Sequence, residues 1–405
     1  MIDETRVIIS GTGCALADYL YTDISFDSPQ FRKYLSLKPG DGGLSPGKLV
    51  FTEELEKFAS AKYVNILAEI TGDQEPETSN IGGNGIVPMI HVSQLLNETG
   101  FEVKFYGGTG CDKTAILIYD LLKQTPLNTS CFKIVSDKPT PYTDAFFDPS
   151  YNNGQGERAF VNNIGASWDY LPEFLEENFF SSDIVYFGGT ALVPKIHDNL
   201  TTLLEKAKRN NCITVVNTVF DFRNEKLNPS SPWPLGNTPE SLKLIDLLIM
   251  GKEEALRISG KYNLEDASKF FIEGKSAAFI ITNSAEDFFA YSSGGIFTDT
   301  ELVRLPVSAR VKEDIIKRPW IKGDTIGCGD NFVGGAIAAM AWHIKKGGTN
   351  RFDFMDVISW AVASGGFACY YYGGTWFENK PGEKLARVRE IRDFYLEQIG
   401  YKPEE

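Results

Sequence analysis

The chain has 405 residues, 42% of them hydrophobic and 23% charged, with a formal net charge of −14. That balance excludes a disordered or fibrous polypeptide, and the acidic surplus argues against broad binding to nucleic acid or an anionic membrane, which want a basic face. The length exceeds one minimal core and predicts a single unit made of a large domain with a smaller one appended.

Six cysteines, Cys14, Cys111, Cys131, Cys212, Cys328 and Cys369, are scattered without Cys-x-x-Cys pairs or metal spacing, and read as reduced thiols of a cytosolic protein. The N-terminal Met1 to Arg6 carries acids and no long apolar run, so no signal peptide is read there. No stretch approaches the ~18 apolar residues of a membrane span. The three histidines, His91, His197 and His343, are too widely spread to suggest a metal centre or a triad. There is no Gly-x-x-x-x-Gly-Lys-Ser/Thr loop.

In chain order, Arg6 to Ser10 is an apolar run that predicts a buried strand feeding a loop at Gly11-Thr12-Gly13. Asp18 follows just downstream. Residues 21–51 are rich in Pro and Gly, too turn-prone for a helix pair and too long for a simple loop, and predict part of a small β-sheet. Glu53 to Ser60 reads as a helix. Gly82-Gly83-Asn84-Gly85 precedes an apolar-periodic helix through Leu96. Val103 to Tyr106 reads as a strand ahead of a glycine loop. Asp112 then either caps the next helix or meets a substrate. Residues 133–163 alternate in polarity around a turn at 152–156, which predicts a hairpin ending in Glu157-Arg158-Ala159-Phe160-Val161. Arg158 has two readings: contact with a substrate or phosphate, or a surface pair with Glu157.

From Ser182 onward, apolar strands at 183–190, 212–217, 245–250 and 277–282 alternate with helical stretches such as 200–209. That order predicts a mainly parallel sheet covered on both faces, with ligands gathered at the carboxyl ends of its strands. Glu254 and Thr282 each sit just past such a strand. The segment Lys322-Gly323-Asp324-Thr325-Ile326-Gly327-Cys328-Gly329-Asp330-Asn331 then reads as a tight glycine turn opening the Gly/Ala-rich helix 332–344. The glycines allow close backbone approach, and the helix start offers unpaired N–H groups and a positive dipole end to an anion. An acid in that pocket, Asp330, makes sense if it must take a proton from a hydroxyl while the amides hold a phosphoryl group. Helices at 354–371 and 383–395 complete the chain.

Asp324, Thr325, Gly327, Gly329 and Asp330 resemble the Asp-Thr-x-Gly-Ala-Gly-Asp signature of the ribokinase-like (PfkB) family, with Cys328 in place of the usual Ala. The resemblance spans roughly residues 7–375. It implies a three-layer α/β/α domain with a mainly parallel sheet, plus a small β-sheet lid from about 15–52 and 133–163. It implies ATP-dependent phosphorylation of a hydroxyl of a sugar or sugar-like alcohol, with Asp330 as base and the amides of Gly327, Cys328, Gly329 and Asp330 as anion hole. Asp18, Gly82, Gly83, Asn84 and Arg158 would then meet the sugar. Thr282, Ser284, Thr325, Gly327, Gly329, Ser364 and Gly365 would meet ATP. Glu254 would support Mg2+ through water, and Asp324 would lie near a monovalent cation such as K+. An exposed edge of the lid would offer a route to a homodimer. The chain departs from the family pattern at Val87, where the Asn of the family's Gly-Gly-x-x-x-Asn would fall and for which Asn84 would compensate, at Gly251, which replaces an Asn, and at Ser284 and Asp287, which replace two glycines. Leu37-Lys38-Pro39-Gly40 and the long early insertion keep a nucleoside kinase of the adenosine type open. The departures keep open a weakly active sugar- or nucleotide-binding regulator on the same fold.

Overall fold

The computed structural model describes residues 6–38, 40–154, 156–347 and 351–403. The readings that fall on residues 1–5, Pro39 and Gln155 lie outside the described residues. Fourteen strands are found among those described: β1 (Val7–Gly13), β2 (Leu16–Tyr21), β3 (Leu49–Phe51), β4 (Thr78–Gly82), β5 (Phe101–Thr109), β6 (Phe132–Ile134), β7 (Tyr142–Asp148), β8 (Glu157–Asn163), β9 (Ile184–Gly188), β10 (Ile213–Asn217), β11 (Leu247–Gly251), β12 (Ala278–Thr282), β13 (Phe288–Ser292) and β14 (Thr300–Leu305). Nine form one sheet in the order β14-β13-β12-β11-β10-β9-β1-β5-β6. It is parallel except at β13, which runs against both neighbours.

Alternation along the strands sends side chains to opposite faces. Ile9, Ile184, Val215, Leu247 and Ile280 pack on one side with the helices Ile86–Leu95, Cys328–Lys346, Phe354–Ala368 and Glu383–Ile399. Val185, Phe187, Val216, Leu248 and Phe279 pack on the other with Leu200–Arg209, Lys252–Ser259 and Leu264–Glu273. With both faces covered, the central strands need the near-continuous apolar runs seen in the sequence.

The other five strands form a second sheet in the order β3-β8-β7-β2-β4. Phe146, Ala159 and Val161 on one face of it pack with Tyr63, Ile66 and Leu55 from two short helices, Thr52–Ala59 and Tyr63–Thr71. The opposite face carries Asp18, Ala145 and Phe160 and borders a cavity shared with the large domain. Among the described residues no helix is long and apolar enough to cross a membrane.

Several sequence expectations shift here. Gly11-Thr12-Gly13 belongs to β1, because Gly13 pairs with Gly188 across the sheet. Asp18 lies on β2, between Asn80 of β4 and Thr143 of β7. Residues 21–51 give the last residue of β2, the three-residue β3 and a helical turn, Pro29–Arg32, while β4 joins the small sheet from a segment that the sequence did not mark as a strand.

The helices Cys328–Lys346 and Phe354–Ala368 cross closely because Gly335 lacks a side chain. A Cβ there would stand 2.4 Å from Ser364 Oγ and 2.5 Å from the Trp360 carbonyl oxygen. Alanine normally favours a helix over glycine by about 1 kcal/mol. At this crossing, overpacking outweighs that gain, and Gly335→Ala is expected to lower unfolding stability by about 1–3 kcal/mol in denaturant titration. An unchanged or raised midpoint would show that the helices separate freely.

Candidate active site

The helix Cys328–Lys346 begins from Gly327, which has φ +75° and serves as a left-handed N-cap. That conformation favours glycine. The space is also closed, since a Cβ on Gly327 would lie 2.6 Å from Gly374 Cα. Asn331 locks the turn by donating from Nδ2 to the Gly327 carbonyl at 2.8 Å and to the Gly374 carbonyl at 3.0 Å. The amides of Gly329 and Asp330 have no carbonyl partner among the described residues. Space in front of Gly329 is open, for a Cβ there would meet nothing within 4 Å. Two free donors and the positive helix end therefore face open space at the exposed start of the helix, an arrangement suited to an anion.

The Asp330 carboxylate is buried beside these amides. Its Oδ1 accepts a hydrogen bond of 2.7 Å from Asn84 Nδ2. Burial pushes its pKa up from 3.8 to about 6, against the lowering effect of Asn84. Asp18 is pushed up from 3.8 to about 7, by burial first and then by repulsion from Asp330 and Asp324. Asp18 also leans on the glycine loop, since a Cβ on Gly82 would stand 1.9 Å from its Oδ2. Gly83 has φ +106° and packs on Cys14, which carries Asn84 toward the helix start. Tyr186 fixes Asn84 from below by donating its hydroxyl to the Asn84 carbonyl. Asp18, Gly82, Gly83, Asn84, Gly327, Cys328, Gly329 and Asp330 are thus brought together.

Arg158 and Asp324 meet each other. Arg158 Nη2 lies 3.2 Å from Asp324 Oδ2, with both side chains mostly buried. Neither sequence reading of Arg158 anticipated this pair; Glu157 instead accepts from the Arg158 amide. Asp324 also receives the amides of Ile326 at 2.9 Å and Gly373 at 3.2 Å. Oδ1 thus takes the Ile326 amide, and Oδ2 takes both the Gly373 amide and the guanidinium, so the residues here do not fit a K+ ion bound directly to Asp324. Next to this pair is a cavity of about 420 Å³, lined by Asp18, Asn80, Asp324, Tyr372, Trp376 and Phe377 among others.

Glu254 is in the first turn of Lys252–Ser259, past the end of β11, and burial raises its carboxyl above the usual range. It has no ion pair among the described residues. Thr282 closes β12, and its hydroxyl donates to the Met250 carbonyl at 3.2 Å. Ser284 keeps a positive φ of 53°, the conformation that the missing glycine would favour. Asp287 is paired with Arg304 at 3.1 Å. Thr325 is exposed in the turn. Ser364 and Gly365 are corrected: both are buried where the two long helices cross, Ser364 against Gly335 and Gly365 against the Cys328 carbonyl, so they serve packing. Asp112 is a cap, accepting from the Ala115 amide at 2.9 Å.

The chain belongs to the PfkB family: the model for pfkB family carbohydrate kinases matches residues 60–375. Among curated protein sequences nothing matches. Solved structures share the fold at low identity. Adenosine kinase from Schistosoma mansoni, in complex with 2-fluoroadenosine, aligns with a TM-score of 0.67 and 16% identity over 91% of this chain and 97% of that one. A probable sugar kinase from Rhizobium etli gives 0.66 and 14% over 96% and 99%. Ribokinase from Thermotoga maritima gives 0.58 and 17% over 96% and 99%.

A carboxyl with a pKa raised on folding holds its proton more tightly in the folded state. The stability it lends is present below pH 3.8 and is lost as pH rises through about 6. Asp330→Asn removes this loss. The variant is expected to be more stable than the parent by about 1–3 kcal/mol at pH 8, with the gap closing by about pH 4, in urea titrations at both values. A gap that is the same at both pH values would contradict the burial of a charged carboxylate.

Proposed function

We propose that this chain is an ATP-dependent kinase that phosphorylates a hydroxyl of a sugar or sugar-like alcohol. The observation that carries the reading is the buried Asp330 carboxylate set beside two unpaired helix-start amides. A carboxylate with pKa about 6 is mostly ionised at neutral pH yet basic enough to accept a proton in the transition state. The acceptor hydroxyl would give its proton to Asp330 as its oxygen attacks the γ-phosphorus. The amides of Gly329 and Asp330 would meet the charge on the transferring group.

Asp18 supports the polyol side of the reading. Its carboxylate can accept from two hydroxyls at once. Those hydrogen bonds favour the ionised form and offset the burial and repulsion that raise its pKa in the free protein. The small sheet would act as a lid, keeping water from the phosphoryl group.

Mg2+ in such sites is held mainly by the phosphates with one or two carboxylates. The described residues contain no cluster able to hold a metal alone. The Glu254 carboxylate, which has no ion pair among the described residues, fits an outer-shell role, and the ion would supply charge neutralisation at the phosphates.

A nucleoside substrate is the second reading, favoured by the aromatic lining of the cavity beside Asp18, where Tyr372, Trp376 and Phe377 offer rings to a base.

ADP release with ATP and Mg2+ against sugars and nucleosides tests both readings. Turnover on one acceptor is expected, with Asp330→Asn lowering it by about 10²–10⁴-fold. Activity should fall below about pH 6 as Asp330 takes up a proton. Turnover confined to nucleosides would select the second reading. No turnover, with ligands still raising the melting temperature, would contradict the kinase reading and favour a binding protein.

A further inference from the structure

The residue beside the two free amides, Cys328, has a sulfur neighbour. Its Sγ lies 3.5 Å from Sγ of Cys369, 41 positions later in the chain. Cys328 is the first residue of the signature helix, and Cys369 caps the end of the helix Phe354–Ala368. The backbone around them is laced together. Gly323 N–H donates to the Cys369 carbonyl at 2.9 Å, and Asp324 N–H to the Tyr371 carbonyl at 3.1 Å. Both residues are partly exposed, whereas Cys14 and Cys212 are buried.

We propose that Cys328 and Cys369 are a reversible oxidation site, and that the disulfide between them disables the anion pocket. The consequence rests on the kinase reading; the chemistry does not.

The oxidant is a peroxide. The Cys369 thiolate attacks one oxygen of hydrogen peroxide, giving a sulfenic acid and hydroxide, which takes up a proton as water. The sulfur of Cys328 then attacks the Cys369 sulfur, forming the S–S bond and expelling the hydroxyl, which leaves as water with the Cys328 proton. Two thiols and one peroxide become one disulfide and two waters. A thiol reductant reverses the step. Cys369 suits the attacking role: its hydrogen bond with Cys328 holds its thiol below the usual range, against burial and the Asp324 carboxylate, with the Lys322 ammonium helping.

The geometry explains the inhibition. A disulfide needs its sulfurs at about 2.05 Å, so the pair must close by about 1.5 Å. Cys328 is the first residue of the signature helix, so whatever part of the closure side-chain rotation does not supply is drawn from the backbone that carries the amides of Gly329 and Asp330. A shift of about 1 Å in a positioned group lowers catalysis by about 10²-fold.

The test oxidises the full chain with hydrogen peroxide. It reads three quantities: the Cys328–Cys369 cross-linked peptide in an unreduced digest by mass spectrometry, ATP binding by calorimetry, and turnover. The cross-link is expected to form, with ATP affinity and turnover each falling at least tenfold and returning with dithiothreitol. Cys369→Ala and Cys369→Ser should keep basal activity and resist peroxide, whereas Cys111→Ser, which removes an exposed thiol, should remain sensitive. Peroxide treatment that leaves no Cys328–Cys369 peptide overturns the proposal, as does a cross-link that leaves ATP binding intact. Should the reduced protein turn over no acceptor, the cross-link and ATP binding still decide the matter, and only the kinase reading falls.

Discussion

The site depends on holding one ionisable carboxyl, Asp330, out of water at the positive end of a helix. The Asn84 hydrogen bond is the contact that makes this tolerable, because it favours the charged form against burial. Its geometry is set by backbone. Gly13 and Gly188 pass so closely that a Cβ on Gly13 would lie 1.7 Å from the Gly188 carbonyl oxygen. Gly85 packs on Gly13 and Cys14, while Gly189 packs on Asn84 itself. Loops from the carboxyl ends of β1 and β9 and from β4 therefore converge beneath one side chain. A larger residue at any of these glycines would move Asn84 before it touched Asp330.

Charge is the second theme. Asp18, Asp324 and Asp330 lie within electrostatic reach of one another, and each is raised above the usual carboxylate range, chiefly by burial. Among the described residues only Arg158 stands against them as a cation in direct contact. Arg158 comes from the small sheet and Asp324 from the turn that opens the signature helix. The ion pair thus joins the two sheets at the mouth of the cavity, so the position of the small sheet and the order of the turn are physically linked.

The signature turn, the central strands and the helix Leu200–Arg209 were legible in the sequence because local pattern decides them. Apolar runs bounded by loops give buried strands, and glycines before a small-residue helix give the turn. The contacts that tune the site were not legible. Asn84 and Asp330 are 246 positions apart, and Arg158 and Asp324 are 166 apart. Nothing local in either segment specifies such a partner. Strand β4 was missed because its sequence, Thr78–Gly82, is polar; it is paired through its backbone to β2. Ser364 and Gly365 were misplaced because small residues suit a ligand wall and a helix crossing equally, and only packing distinguishes the two.

The central claim is that Asp330 is a buried carboxyl with a pKa far above the ordinary value. Carbon-13 NMR of carboxyl-labelled aspartate, compared with Asp330→Asn, measures it directly. A resonance titrating near pH 6 and missing from the variant is the result the account predicts. A resonance assigned to Asp330 by the same comparison but titrating near 3.8, the ordinary aspartate value, would contradict it.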